Sequence, residues 1–189
     1  MSARRESVEQ TRFQITEATM RLHERVGPAA TTLSAVAEEA GVTRLTVYRH
    51  FPDDAALITA CSSHWRSLHP RPDTTAWSAV ADPVERLHVA LSETYSWART
   101  AAPMMTNIYR DLDGLPDSIR EAIVRDDNHR VDVLVRGFGA RGRAVRRLRA
   151  AMGHALHVRT WVSLCVDGGL RDTEAVDLMA ASVLAAVHG

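Results

Sequence analysis

Residues 31–57, TTLSAVAEEAGVTRLTVYRHFPDDAAL, restrict the fold more than any other stretch of the chain. Thr31 or Thr32 can cap a short helix, LSAVAEEA, whose Leu33, Val36, Ala37 and Ala40 fall on one inward face. Gly41 supplies a tight turn, Thr43 can cap a second helix from about Arg44 to Phe51, and Pro52 stops it. Two short helices joined through a glycine turn have the dimensions of a helix-turn-helix. On the second of them Val47 and Phe51 are four apart and take the core side. That turns Leu45 and Arg49 outward, with Thr46 and Tyr48 on the flanks. Arg44 sits in the first turn, where side chains lean past the helix end.

The remaining pattern is helical as well, and no segment alternates in the manner of a hairpin. Val8, Thr11, Ile15, Ala18, Leu22 and Val26 recur at three- and four-residue steps and predict a first helix ending at Gly27-Pro28. Phe13 lies off that stripe and is expected against a neighbouring element. Asp53 or Asp54 starts a fourth helix that reads to about Leu68, where HPRPDTTAW breaks the pattern as a linker candidate. Asp82, Pro83 and Glu85 mark another start. Helices are expected at about 83–100, 103–112, 116–137, 142–167 and 173–187, with no internal repeat. The expectation is an all-α chain of about nine helices. Residues 1–52 would form a three-helix helix-turn-helix domain, and 53–189 a larger helical bundle.

Composition narrows the possible partners only a little. The chain has 189 residues with 23 basic and 23 acidic side chains, so overall charge argues for neither nucleic acid nor membrane. Every one of the basic residues is Arg, the side chain suited to bidentate contact with phosphate or guanine. Cys61 and Cys165 are too few and too far apart for a disulfide framework or a paired-cysteine zinc module. MSARRESVEQ has no apolar run behind its arginines, and LMAASVLAAV at 178–187 is about half a bilayer crossing. A soluble, cytoplasmic protein with no membrane partner is expected.

The outward set on the second short helix is Arg44, Leu45, Thr46, Tyr48, Arg49 and His50, with no carboxylate among them. Arg44 or Arg49 could pair with guanine N7 and O6, and Leu45 or the Thr46 methyl could meet a thymine methyl. Tyr48, His50 and the threonines at the start of the preceding helix suit phosphate oxygens, which fix register without reading sequence. Against this, residues 1–51 hold seven Arg and six Glu, a surplus of about one positive charge and little for a DNA-binding face. A solvated, Arg-bearing helix face is the plainer interpretation of the same pattern.

The stretch TTLSAVAEEAGVTRLTVYRHFPDDAAL resembles the N-terminal helix-turn-helix of TetR-type transcriptional regulators, over about residues 8–60. Beyond it the likeness is one of helix pattern, with TWVSLCVDGGLRDTEAVDLM at 160–179 similar to the last two helices of some members. The resemblance implies sequence-specific binding to a double-stranded operator. Arg44, Leu45, Thr46 and Arg49 would face bases, and Thr32, Thr43, Tyr48 and His50 would complete the DNA-contacting set. Three positions depart from the family pattern. Leu45 stands where Gly is common and Asp54 where Lys often meets a phosphate, which Asp54 would repel. His23 replaces a usual aromatic, with packing lost or a hydrogen bond gained. Asp54 keeps open an alternative, a small-molecule sensor or interaction protein that has lost DNA recognition.

In the second half, small residues such as Ala150, Ala151, Gly153, Ala155, Ala180, Ala181 and Ala185 would let helices approach closely. That suits either intrachain packing or a homodimer through the last two helices, and the resemblance favours the dimer. It also implies an effector pocket, for which Trp97, Met104, Met105, Tyr109, His157 and Trp161 are the candidates; core packing is the alternative for each. His154, His157 and Cys165 lack a second close pair to complete four ligands, so neither metal nor cofactor is expected. Nor is an enzyme: His157 and Cys165 are eight helical residues apart, about 12 Å of rise, and no phosphate loop or nucleophile elbow occurs. RGRAVRRLR at 141–149 reads as a solvated helix start. The leading expectation is an effector-controlled, homodimeric repressor.

Overall fold

A computed structural model describes residues 2–188, and among them the chain is all-α, with ten α-helices and no strand. In order these are α1 (Ser2–Val26), α2 (Leu33–Glu39), α3 (Arg44–His50), α4 (Asp54–Leu68), α5 (Thr74–Ala79), α6 (Pro83–Arg110), α7 (Asp117–Val135), α8 (Arg143–Leu156), α9 (Val158–Trp161) and α10 (Asp172–His188). They fall into two compact units. The first comprises the chain up to Pro70 together with Pro103–Arg120; the second comprises Arg71–Ala102 and the chain from Glu121 onward.

The first unit is built on the apolar faces that the sequence predicts. Ile15 and Leu22 of α1, Val36 and Ala37 of α2, Val47 of α3 with Phe51 at its C-cap, and Leu57 of α4 form one buried cluster. Val8 and Val26, expected on the same stripe, are exposed, because α1 extends beyond the core at both ends. Phe13 is also exposed and meets the His64 ring of α4 edge-on, with centroids 5.2 Å apart. Thr16 and Thr19 are buried threonines of α1, and each hydroxyl donates to a carbonyl one turn back, Arg12 at 3.0 Å and Ile15 at 2.8 Å.

The second unit packs around Trp77, Leu87, Leu91, Tyr95, Leu134, Leu148, Met152 and Val183, all of them fully buried. Three expectations change here. The linker candidate HPRPDTTAW contains a helix: Asp73 caps α5 by accepting from Thr75 N at 2.8 Å, and buried Trp77 anchors it by donating to Glu93 at 2.6 Å. The helices expected at 83–100 and 103–112 are one, α6, which runs through Pro103. Proline removes one backbone hydrogen bond there, but buried Ala98, Ala101, Ala102, Met104 and Met105 flank it closely enough to hold the helix together. The single helix expected at 142–167 is interrupted at His157, whose backbone is extended and whose ring Nδ1 accepts from Arg159 N at 3.1 Å. Beyond α9 the chain continues as a π-helical stretch, Val162–Asp167.

Candidate nucleic-acid interface

The helix-turn-helix is assembled by its caps. Thr32 Oγ1 accepts from Ala35 N at 3.1 Å and opens α2; Thr43 Oγ1 accepts from Thr46 N at 3.2 Å and opens α3. Between them Gly41 adopts a left-handed φ of 66°, a conformation in which any side chain is strained. Val47 and Phe51 are buried, and this fixes the rotation of α3 about its own axis. Leu45 is consequently 69% exposed and Tyr48 46% exposed, and Arg44 and Arg49 are exposed beside them. Thr46 and His50 are half-buried, while Thr32 and Thr43 are exposed. Thr46 Oγ1 lies 2.9 Å from Thr43 Oγ1, so its hydroxyl is engaged with the cap and its methyl is the part left to offer a base.

The surface that results carries two guanidiniums, a phenol and an isobutyl group within two turns. Neither Arg44 nor Arg49 has a carboxylate partner among the described residues. Unpaired, outward-pointing arginines can fork onto guanine or phosphate without first breaking an ion pair. Asp54, in the first turn of α4, is exposed and has no cationic partner among the described residues. Asp53 is the cap of that helix, accepting from Ala56 N at 2.7 Å.

Two sets of contacts that hold this surface were not legible in the sequence. Arg12 of α1 donates to the carbonyl of His50 at 2.7 Å and stacks over the Phe51 ring at 4.2 Å, tying α1 to the end of α3. At the other end of α1, Asn107 Nδ2 donates to the carbonyls of His23 at 3.1 Å and Glu24 at 2.9 Å, and Arg110 donates to Val26 O at 2.8 Å. They meet carbonyls of the last turn of α1, where a helix end runs short of backbone donors; the His23 carbonyl also accepts from Gly27 N at 3.0 Å. Asp111 then accepts from Ala29 N at 3.0 Å; its carboxyl is held below the usual range chiefly by the Arg110 guanidinium. Asn107, Arg110 and Asp111 belong to the first unit together with the residues they meet, although each pair lies more than eighty positions apart in sequence.

His23 sits at the centre of this joint, 4% exposed, with Nδ1 3.7 Å from Sγ of Cys61. Burial lowers its pKa to about 4, against a smaller opposing pull from Asp111, and burial raises the Cys61 thiol to about 12. Both groups are therefore neutral near pH 7. The position that departs from the family pattern has gained a polar neighbour, the second of the two outcomes expected for it.

The six effector-pocket candidates divide between the units. Met104, Met105 and Tyr109 lie in the first, Trp97, His157 and Trp161 in the second. Of the two cavities described, one in each unit, His157 lines the second unit's, with His154, Arg159 and Thr160; the other five candidates line neither. Met104, Met105 and Trp161 are buried, with Trp161 Nε1 donating to Asp172 at 3.1 Å, and Trp97 has the Arg71 guanidinium 5.0 Å above its ring. No helix of the described residues is long and apolar enough to cross a membrane.

Residues 15–61 match the family model for bacterial regulatory proteins, tetR family, and this span contains all of α2 and α3. The helix-turn-helix thus resembles that of the tetR family. The TetR-type segment is similar to the HTH-type transcriptional regulator TtgR of Pseudomonas putida, 43% identical over 65 residues, which is 34% of this chain and 31% of TtgR. The alignment thus spans about a third of that relative's length. The fold of the whole chain is similar to that of a TetR transcription regulator from Haloarcula marismortui, with a TM-score of 0.60 at 16% identity, covering 95% of this chain and 97% of that one. It is also similar to LfrR of Mycobacterium smegmatis, a TetR-like regulator solved in complex with proflavine. There the TM-score is 0.55 at 22% identity, covering 96% of this chain and 98% of LfrR. The TetR fold therefore extends over both units, while the match to the family model is confined to the helix-turn-helix.

Proposed function

We propose that this chain is a homodimeric transcriptional repressor that reads a palindromic DNA operator with α3 and releases it when a small molecule binds. The observation that carries this reading is the outer face of α3, where Arg44, Leu45, Tyr48 and Arg49 stand clear of the core without a carboxylate among them. Arg44, Leu45, Thr46 and Arg49 would face base edges; Thr32, Thr43, Tyr48 and His50 would face the phosphates. Similarity to TtgR supports the regulatory role, and the proflavine complex of LfrR supports a response to small organic molecules. Acting on an operator places the protein in the cytoplasm. The dimer reading is supported by α10, whose outward side carries Leu178, Ala181, Ser182 and Ala185, a shallow surface on which a second copy could pack closely.

Exposed Asp54 favours a second reading, a sensor of the same fold without operator recognition, because its charge would face a phosphate. Titration of the chain against duplex from its own upstream region and against a scrambled duplex, at several salt concentrations, separates the two. Preference for the upstream duplex that persists as salt rises supports the repressor. Equal affinity for both duplexes supports the sensor.

A further inference from the structure

We propose that a cavity of about 660 Å³ within the first unit is a binding site for a small amphipathic organic cation. Its size falls inside the range of small-molecule sites, roughly 300 to 1,000 Å³. Leu33 and Val36 of α2, Leu57 and Ile58 of α4, and Leu115 and Pro116 give it apolar walls. Its polar lining includes Thr19, His23, Asp54, Asp111 and Asp117, and no Arg is among the lining residues.

The polar groups select the charge of the occupant. His23 is more than nine-tenths buried and its Nδ1 is taken by Cys61, which leaves Nε2 as the ring nitrogen that can meet an occupant. Burial keeps that ring neutral near pH 7, so it supplies a hydrogen bond and no positive charge. Asp111 is engaged by Arg110 and Asp117 by Arg120, whereas Asp54 has no such partner. One uncompensated carboxylate beside an apolar wall favours a monocation with a hydrophobic body and disfavours an anion.

The site sits where an occupant would be felt by the DNA reader. Its walls include Thr32, the cap of α2, and the first turn of α4. Filling it would alter how α2 is held, and α2 with α3 makes up the reading unit. This consequence, though not the binding itself, rests on the repressor reading above.

The test uses the full chain without DNA, with rhodamine 6G as a cationic probe and fluorescein as an anionic one, followed by fluorescence anisotropy. Saturable binding of rhodamine 6G and much weaker binding of fluorescein are expected. Asp54→Asn should weaken the cation by about threefold to tenfold, and Ile58→Trp, which fills the cavity, by more than about tenfold. Ala29→Trp blocks the cavity from an exposed rim position, so a folding failure of the Ile58 variant leaves the test intact. Rhodamine 6G affinity unchanged by Asp54→Asn and by the blocking substitutions, or no binding at all, would overturn the site. Operator binding is measured separately. Its absence with probe binding intact removes the repressor reading and leaves the site standing.

Discussion

Nδ1 of His23 lies 3.7 Å from Sγ of Cys61, and both side chains are buried between α1 and α4. This pairing puts an ionisable ring in the joint beneath the helix-turn-helix, with a pKa depressed to about 4 by burial. In the unfolded chain the ring has its ordinary value of 6.5, so between 6.5 and about 4 the unfolded state binds a proton that the folded state refuses. The folded state is therefore expected to lose stability as pH falls through that window, by about 3 kcal/mol from this group alone. Denaturant melts of wild type and His23→Phe between pH 7 and pH 4 check this. The variant should show the shallower pH dependence over that range.

The Thr43 cap makes a separate, local prediction. Thr43→Ala removes the acceptor for Thr46 N and the hydroxyl neighbour of Thr46 Oγ1, and should cost about 1 kcal/mol of stability. Thr43→Ser should recover most of it. Thermal melting of the three proteins decides this, and a Thr43→Ala melting point equal to wild type would show that the cap is not used.

Asn107 should behave as a structural residue with a functional reach. It donates to two carbonyls at the C-terminus of α1, so Asn107→Ala leaves both without that donor and is expected to destabilise by about 1 to 3 kcal/mol. Asn107→Asp turns a carboxylate oxygen toward the same carbonyls and should be worse. Hydrogen exchange at the end of α1 and the start of α2 would register the loosening locally, before any global change in melting.

For the reading surface, Arg49→Ala should lower operator affinity by about 1 to 3 kcal/mol while changing affinity for scrambled duplex far less. Tyr48→Phe would remove the phosphate contact proposed for that hydroxyl and should weaken both duplexes alike. Asp54→Lys should strengthen both and steepen the salt dependence by about one counterion per subunit. Titrations at three salt concentrations separate these three signatures.

Much of the first unit was legible because its signals are local. The spacing of Val47 and Phe51, the threonines before each short helix and Gly41 between them are all read within about twenty residues, and the structure puts each in the expected place. The joint at the end of α1 was illegible because Asn107 and Arg110 act on carbonyls far away in sequence, through backbone atoms that carry no residue identity. Local rules also misplaced elements in the second half. Pro103 reads as a break, yet buried neighbours carry α6 through it; His157 reads as mid-helix, yet its ring caps a new start. The effector candidates are mostly large, polarizable side chains, which a packed core also selects, and the structure spreads them over two units.

In the proposed repressor two copies of α3 read DNA together across a two-fold axis. Selection of this protein's preferred sites from a pool of random duplexes, followed by sequencing, tests it most directly. Enrichment of an inverted repeat whose half-site centres are about 10 base pairs apart, or a multiple of that spacing, is expected. Recovery of no enriched sequence, or of a single asymmetric half-site, would contradict it.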